Sequence, residues 1–293
     1  MVGLRLILGS RAVHDAADNV AGDWIADTQR EAIRWAAGAA FLLTALDLAR
    51  LWHQTYAFYG GFEPITFELI GVIANETQWG SGWKVQTIAA VVAGIALAAA
   101  PRRWTGAWSV GMVAVAVTVV SRPLTGHAVE TGSWLSLPAL LQFVHISATA
   151  LWIGTLATMI VFAARRASRL PAPLDGRVLA AVVNSFSPLA LSSVVALFLT
   201  GCATSFMYLG SVEALYGTAY GRVLLGKVLA FAGVVALGYW NWQRVRPQLE
   251  AAAKDGSGAA RSLLLRTAGA ELAIAVVVLA LTAVLVALPM PMG

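Results

Sequence analysis

Long apolar runs follow one another along this chain, separated by short polar segments in which arginine is frequent. Runs near the ~18 residues needed to cross a bilayer predict seven spans, at about 34–53, 84–100, 105–121, 137–163, 184–208, 221–243 and 263–288. Each is expected to be a helix, because hydrocarbon offers no water to an unpaired backbone group. The segment FEPITFELIGVIAN, about 63–76, is apolar but short and carries two glutamates. It predicts an interfacial or re-entrant helix. The expected fold is therefore all-α, a polytopic transmembrane helical bundle over 34–293, preceded by a polar cytoplasmic segment over 1–33.

Composition agrees. Of the 293 residues, 59% are hydrophobic and 12% charged, against roughly 25% charged in soluble domains. Mean hydropathy is +0.74. Of the 20 Lys and Arg, 15 fall in alternate polar segments. These are Arg5, Arg11, Arg30 and Arg34; Arg102 and Arg103; Arg165, Arg166, Arg169 and Arg177; and Arg244, Arg246, Lys254, Arg261 and Arg266. The intervening segments hold Arg50, Lys84, Arg122 and Arg222, while Lys227 lies within a span. The positive-inside bias puts the Arg-rich segments in the cytoplasm, with the N-terminus inside and the C-terminus outside. It also accounts for the isoelectric point near 9.7. Basic residues dispersed over short loops make no nucleic-acid surface. Trp35, Trp52, Trp79, Trp83, Trp104, Trp108, Trp134, Trp240 and Trp242 lie near predicted span ends, where indole rings anchor at headgroups. No internal repeat, nucleotide-binding loop or catalytic triad pattern is evident, which argues against an enzyme and against ATP-driven transport by this chain alone.

In that topology three of the four histidines, His53, His127 and His145, map to the outer side, and His14 maps to the inner side. Imidazole is the commonest protein ligand for copper and zinc, so a one-sided set suggests metal capture from outside. Met207, Met290 and Met292 also map outside, and thioethers suit Cu(I). Four polar or ligating side chains from four spans, Asp47, His145, Cys202 and Lys227, share a layer in the outer half. Glu271 lies alone in the inner half. An ionisable group at mid-bilayer costs about 2.5–3.5 kcal/mol on insertion scales, so such groups usually have work to do. The structural alternatives are an Asp47–Lys227 ion pair that fixes helix register, a Glu271–Arg266 pair near the inner interface, and a hydrogen-bonded core histidine at 145. Cys202 is the single cysteine and forms no intrachain disulfide.

From about residue 122 onward the chain resembles the copper resistance protein D (CopD) family. The segments that carry the resemblance are TGHA at 125–128, LQFVHISATALWIG at 141–154, SPLALSSVVALFLTG at 187–201, YGTAYGRVLLGKVLAFAGVVALGYWNWQRVRP at 216–247 and ELAIAVVVLALTAVLVALPMP at 271–291. ETQWGSGWKVQ at 76–86 resembles a further family segment. The likeness is strongest over 180–290. It implies a multi-pass protein of the bacterial plasma (inner) membrane that handles copper, in import, homeostasis or resistance, beside a periplasmic CopC-like copper-binding partner.

The expected mechanism starts with copper held by His127, His145 and His53, with Met207, Met290 or Met292 added for Cu(I). Asp47 and Cys202 are the next ligands, Lys227 sets the local charge and Glu271 lies near the exit. Two other classes fit the same residues. One is a haem-binding membrane redox protein, since histidines in helical bundles also ligate haem iron. The other is a copper-delivery or assembly subunit that does not transport. Oligomeric state is not legible. The family pattern has eight spans, and MVGLRLIL at 1–8 resembles the tail of a missing first one. The expected finding is an open reading frame that continues upstream of Met1. A stop codon in frame just before Met1 overturns it.

Overall fold

A computed structural model describes residues 7–8, 21–100, 105–125, 136–164, 167, 169–170, 174–255 and 259–288. All regular structure among the described residues is helical. The principal helices are α1 (Ala21–Tyr59), α2 (Phe67–Glu76), α3 (Gln78–Ala99), α4 (Thr105–Val120), α5 (Leu137–Thr158), α6 (Leu174–Leu209), α7 (Glu213–Gly217), α8 (Ala219–Trp240), α9 (Arg246–Asp255) and α10 (Ala259–Ala287). A 3-10 turn, Arg122–Thr125, follows α4, and π-helical turns follow α5 (Met159–Ala164) and α8 (Asn241–Val245).

Six helices are long and apolar enough to cross a membrane. α4, the span expected at about 105–121, has 16 residues, or ~24 Å of helix, which is short of the ~30 Å hydrocarbon core. The segment expected to lie at the interface is the short helix α2, flanked by Phe62 and Phe67, both 92% exposed. Part of the polar segment before residue 34 is helical, because α1 already begins at Ala21. Leu42, Leu191, Phe198, Leu199, Val276 and Val286 stand outward from their helices, as side chains facing lipid do.

The fold divides into two compact units, Gln29–Ser147 and Met1–Thr28 with Ala148–Gly293. In the first, small residues let helices approach closely. Ala89, Ala93, Ala96 and Leu97 of α3 and Ala107 and Ala114 of α4 are buried, and α3 packs along α4. A Cβ at Gly94 would meet the Phe41 ring of α1 at 2.9 Å, and one at Gly111 would meet Leu97 at 3.0 Å. In the second unit, α6 packs on α9 and α8 on α10. Val178, Leu179 and Val182 of α6 are buried, as are Val245 and Leu249. Trp152 of α5 meets Phe231 of α8 edge-on, with centroids 6.2 Å apart. α6 carries Pro188, whose missing N–H leaves the residue 184 carbonyl without its helical donor. It ends at Gly210, whose φ of 67° is the left-handed conformation glycine adopts readily.

The structure contains a local repeat that sequence comparison within the chain does not reveal. In each unit a short helix runs into a threonine cap and then into a spanning helix. Thr77 sits at φ −106°, ψ 150°, and Thr218 at φ −105°, ψ 156°. Each hydroxyl accepts from the N–H three residues on, Gly80 or Gly221, at 2.9 Å. Each donates back to the short helix, to the Ile73 carbonyl at 2.6 Å or the Ala214 carbonyl at 2.7 Å. A Cβ on Gly80 would overlap the carbonyls of Ile73 and Ala74, and one on Gly221 those of Ala214 and Leu215. Two backbones therefore touch at each corner, and only glycine fits. Nine residues after each cap stand Gln86 and Lys227.

Gly80→Ala and Gly221→Ala should each cost about 1–3 kcal/mol, the usual scale of overpacking. Gly38→Ala has open space around it and should be neutral or gain up to ~1 kcal/mol. Thermal unfolding in detergent measures all three. Equal stability among them would remove the close approach as the determinant of the corner.

Candidate functional site

The densest polar cluster among the described residues lies in the unit Gln29–Ser147 and is built around Asp47 of α1, which is fully buried. Arg50, one turn further along α1, donates to Asp47 Oδ1 at 3.4 Å, and the Arg122 guanidinium stands 3.8 Å from the same oxygen. Arg50 also donates to Gln86 Oε1 at 3.1 Å and to Thr125 Oγ1 at 3.2 Å. Gln86 Nε2 donates to the Ser121 carbonyl at 2.8 Å and to Thr125 Oγ1 at 3.0 Å. Trp83 Nε1 donates to the Asp47 carbonyl at 2.6 Å. Arg50 lies over the Trp79 ring, 5.7 Å from its centroid.

Each element brings its residue to this point for a local reason. The Thr77 cap sets the start of α3 and so the depth of Trp79, Trp83 and Gln86. α4 ends at Val120, and the 3-10 turn that follows brings Thr125 to Gln86 and Arg122 to Asp47. Burial pushes the Arg122 guanidinium below its ordinary value; Asp47 pulls it up again and Arg50 pushes it further down. The cluster holds two guanidiniums and one carboxylate, so it is net positive.

This arrangement changes the expected partner of Asp47. It pairs with Arg50 and Arg122, not with Lys227. Arg50 and Arg122 were among the four basic residues left outside the Arg-rich segments, and the structure gives all four a partner. Lys84 donates to Asn75 Oδ1 at 3.3 Å, and Arg222 donates to the Tyr216 carbonyl at 3.3 Å. One signal for the cluster was present in the sequence, since Asp47 and Arg50 stand at i,i+3, neighbours on a helix face. The roles of Gln86, Trp83, Arg122 and Thr125 depend on folding. Trp79 and Trp83, expected only as interfacial anchors, belong to this cluster.

The expected ligands are distributed differently. His53 is exposed near the end of α1, and His145 is half-buried on α5. Cys202 is a half-buried free thiol on α6, which also carries the half-buried Met207. His127, Met290 and Met292 lie outside the described residues, as does His14. Among the described residues no three His, Cys, Asp or Glu side chains come together as a metal-holding group. Thr200 and Thr204, near Cys202, return their hydroxyls to α6 carbonyls at 2.6 and 2.9 Å, the usual way a hydroxyl is satisfied inside an apolar helix.

Glu271 is 5% exposed on α10. It accepts a hydrogen bond from Asn241 Nδ2 at the π-helical turn after α8. Arg266, exposed on the same helix, makes no ion pair with it. Lys227, half-buried on α8, has no ion-pair partner among the described residues.

Comparison with known proteins agrees with the resemblance read from the segments above. Residues 2–137 match the family described as copper resistance protein D-like, N-terminal domain, and residues 180–285 match copper resistance protein D. The copper transport protein CutJ of Bacillus subtilis (strain 168) is 28% identical over 258 residues, which is 85% of this chain and 45% of that protein. The chain thus spans about half the length of this curated relative. No solved structure matches.

Asp47→Leu should cost about 3–5 kcal/mol, the scale for removing one partner of a buried ion pair, because two guanidiniums lose their counter-charge. Chemical unfolding in detergent reads this. A cost below about 0.5 kcal/mol, that of an ordinary surface change, would show that the cluster does not hold α1, α3 and the 3-10 turn together.

Proposed function

The chain belongs to the copper resistance protein D family, and from that premise we propose that it binds copper at the outer face of a bacterial inner membrane and passes it across, in import or homeostasis. The observation that carries this reading is that the two matched segments cover both compact units. A family named for copper, on a chain with six membrane-length helices, supports copper as the cargo and the bilayer as the barrier. The family is named for resistance and transport, not for a catalysed reaction.

In this proposal His127 and His145 capture the ion at the outer face, with His53 at the rim. Met207, Met290 and Met292 add soft sulfur ligands, which favour Cu(I). Cys202 offers a further sulfur on α6, and Glu271 is the acidic group of the opposite half. Asp47 is best kept off this path. Two guanidiniums against Oδ1 leave a positive cluster, which repels an arriving cation at close range, although Asp47 Oδ2 is buried without a hydrogen-bond partner. Lys227 likewise adds positive charge, so it shapes the path and does not bind the ion. A soluble CopC-like copper-binding protein is the natural donor at the outer face.

Metal content and a visible spectrum of the detergent-purified chain test the capture site. Wild type should retain copper without a haem band. His127→Ala together with His145→Ala should weaken binding by at least about 10-fold, since even outer-shell changes cost 10–100-fold. Only neutral imidazole binds metal, so affinity should fall as pH drops through roughly 6.5. Unchanged copper in the double variant would refute the site, and a Soret band lost with His145 would replace copper by haem. Copper uptake into proteoliposomes then separates transport from binding alone.

A further inference from the structure

We propose that Glu271 and Asn241 form a proton-binding site inside the unit Ala148–Gly293, in which Glu271 is a neutral carboxylic acid at neutral pH and Asn241 is the partner that reads its proton. Three observations converge on it. Glu271 is buried at 5% exposure on a membrane-length helix. The hydrogen bond it receives is from a neutral amide, Asn241 Nδ2. The other end of that amide, Asn241 Oδ1, is buried with no hydrogen-bond partner.

Among the described residues no cation pairs with Glu271. α10 packs against α8, α9 and the two π-helical turns. On α10 itself Arg266 is exposed, and no ion pair joins it to Glu271. α9 brings Arg246 and Glu250, which pair with each other at 3.2 Å. In the turn Asn241–Val245, Arg244 lies over the Trp240 ring. The turn Met159–Ala164 contains no titratable residue. On α8, Lys227 shares the face of Gly238 but stands eleven residues away, ~16 Å along the helix. An ionised carboxylate buried without a cation is costly, and a neutral amide donor offsets only part of that cost.

A proton removes both difficulties together. On the free carboxyl oxygen it neutralises Glu271 and supplies the donor that Asn241 Oδ1 lacks. Amide and acid then face each other as a mutual pair, Nδ2–H to one carboxyl oxygen and O–H to Oδ1. Turning the amide by half a revolution does not remove the need. Its carbonyl would then face a carboxylate oxygen, and only a shared proton makes that contact attractive. The proton is taken from bulk water and returned to it, so no further reactant is required.

The backbone is shaped for the pair. The π-helical turn starts at Asn241, and such turns often re-aim a side chain at a functional site. Gly238, one turn earlier, lies beside the carboxyl group, where a Cβ would be in ordinary contact, 3.8 Å from Glu271 Oε1. When the proton leaves, Asn241 Oδ1 again lacks a donor and Glu271 carries a charge, and together they attract a cation that reaches them. The site is therefore able to exchange a proton for a cation in the interior of the unit. The assignment does not need the copper reading, because it is tested without copper.

Infrared difference spectroscopy of the metal-free, full-length protein, wild type minus Glu271→Gln, tests it. The expected result at pH 7 is the carbonyl stretch of a hydrogen-bonded carboxylic acid, disappearing as the pH is raised. Asn241→Leu should move that band to the position of a free acid. Gln mimics the neutral acid, so Glu271→Gln should melt like wild type at pH 7 and no longer lose stability as the pH is raised. Carboxylate stretches alone at pH 7 would overturn the proposal. Glutamate side-chain isotope labelling in wild type gives the same decision if the variant fails to fold.

Discussion

Hydrocarbon supplies no hydrogen bonds, and the structure answers that single constraint at every level. The backbone answers it by being helical in all the regular structure that is described. Side-chain hydroxyls answer it locally, as Thr44, Thr118, Thr158 and Thr282 do by returning to carbonyls of their own helices at 2.7–3.0 Å. Helix starts are the vulnerable points, because their first N–H groups have no helical acceptor. Thr77 and Thr218 solve this identically, each bridging the end of a short helix and the beginning of a long one. The corner recurs because the geometric problem recurs, and glycine three residues on is required by the contact between two backbones.

Charge is where the two units part company. In Gln29–Ser147 the buried carboxylate of Asp47 is surrounded by Arg50, Arg122, Gln86 and Thr125, so its charge is more than balanced and its position is held by three elements. In Ala148–Gly293 the buried carboxyl of Glu271 meets only an amide. The first arrangement is a lock in which two guanidiniums hold Oδ1, while Oδ2 has no hydrogen-bond partner. The second is poised, because its satisfaction depends on something mobile. At the same register after the repeated corner, Gln86 enters a completed network, whereas Lys227 carries an unbalanced charge.

Copper handling rests on family membership together with the membrane-length helices. The geometry refines which residues are suited to it. His53 is exposed and His145 and Met207 are half-buried, whereas Asp47 is buried against two guanidiniums. Cys202 stands among hydroxyls that are already satisfied, which leaves its sulfur as the unspent ligand on that part of α6.

What the sequence determined by itself was the all-helical, multi-pass class of fold, the copper family and the set of polar residues that have to be explained. Those follow from apolar run length, arginine bias and short ordered segments, which are properties of neighbouring residues. The i,i+3 spacing of Asp47 and Arg50 was legible for the same reason. Tertiary structure decided the partners. Arg122 reaches Asp47 across 75 residues only because α4 ends at Val120 and a 3-10 turn redirects the chain, and Glu271 meets Asn241 because a π-helical turn rotates that side chain toward α10. Hydropathy records how much water a residue avoids and not which residue it will face, so it flagged Asp47 and Glu271 alike. Only packing showed that one carboxylate is held by two guanidiniums and the other awaits a proton.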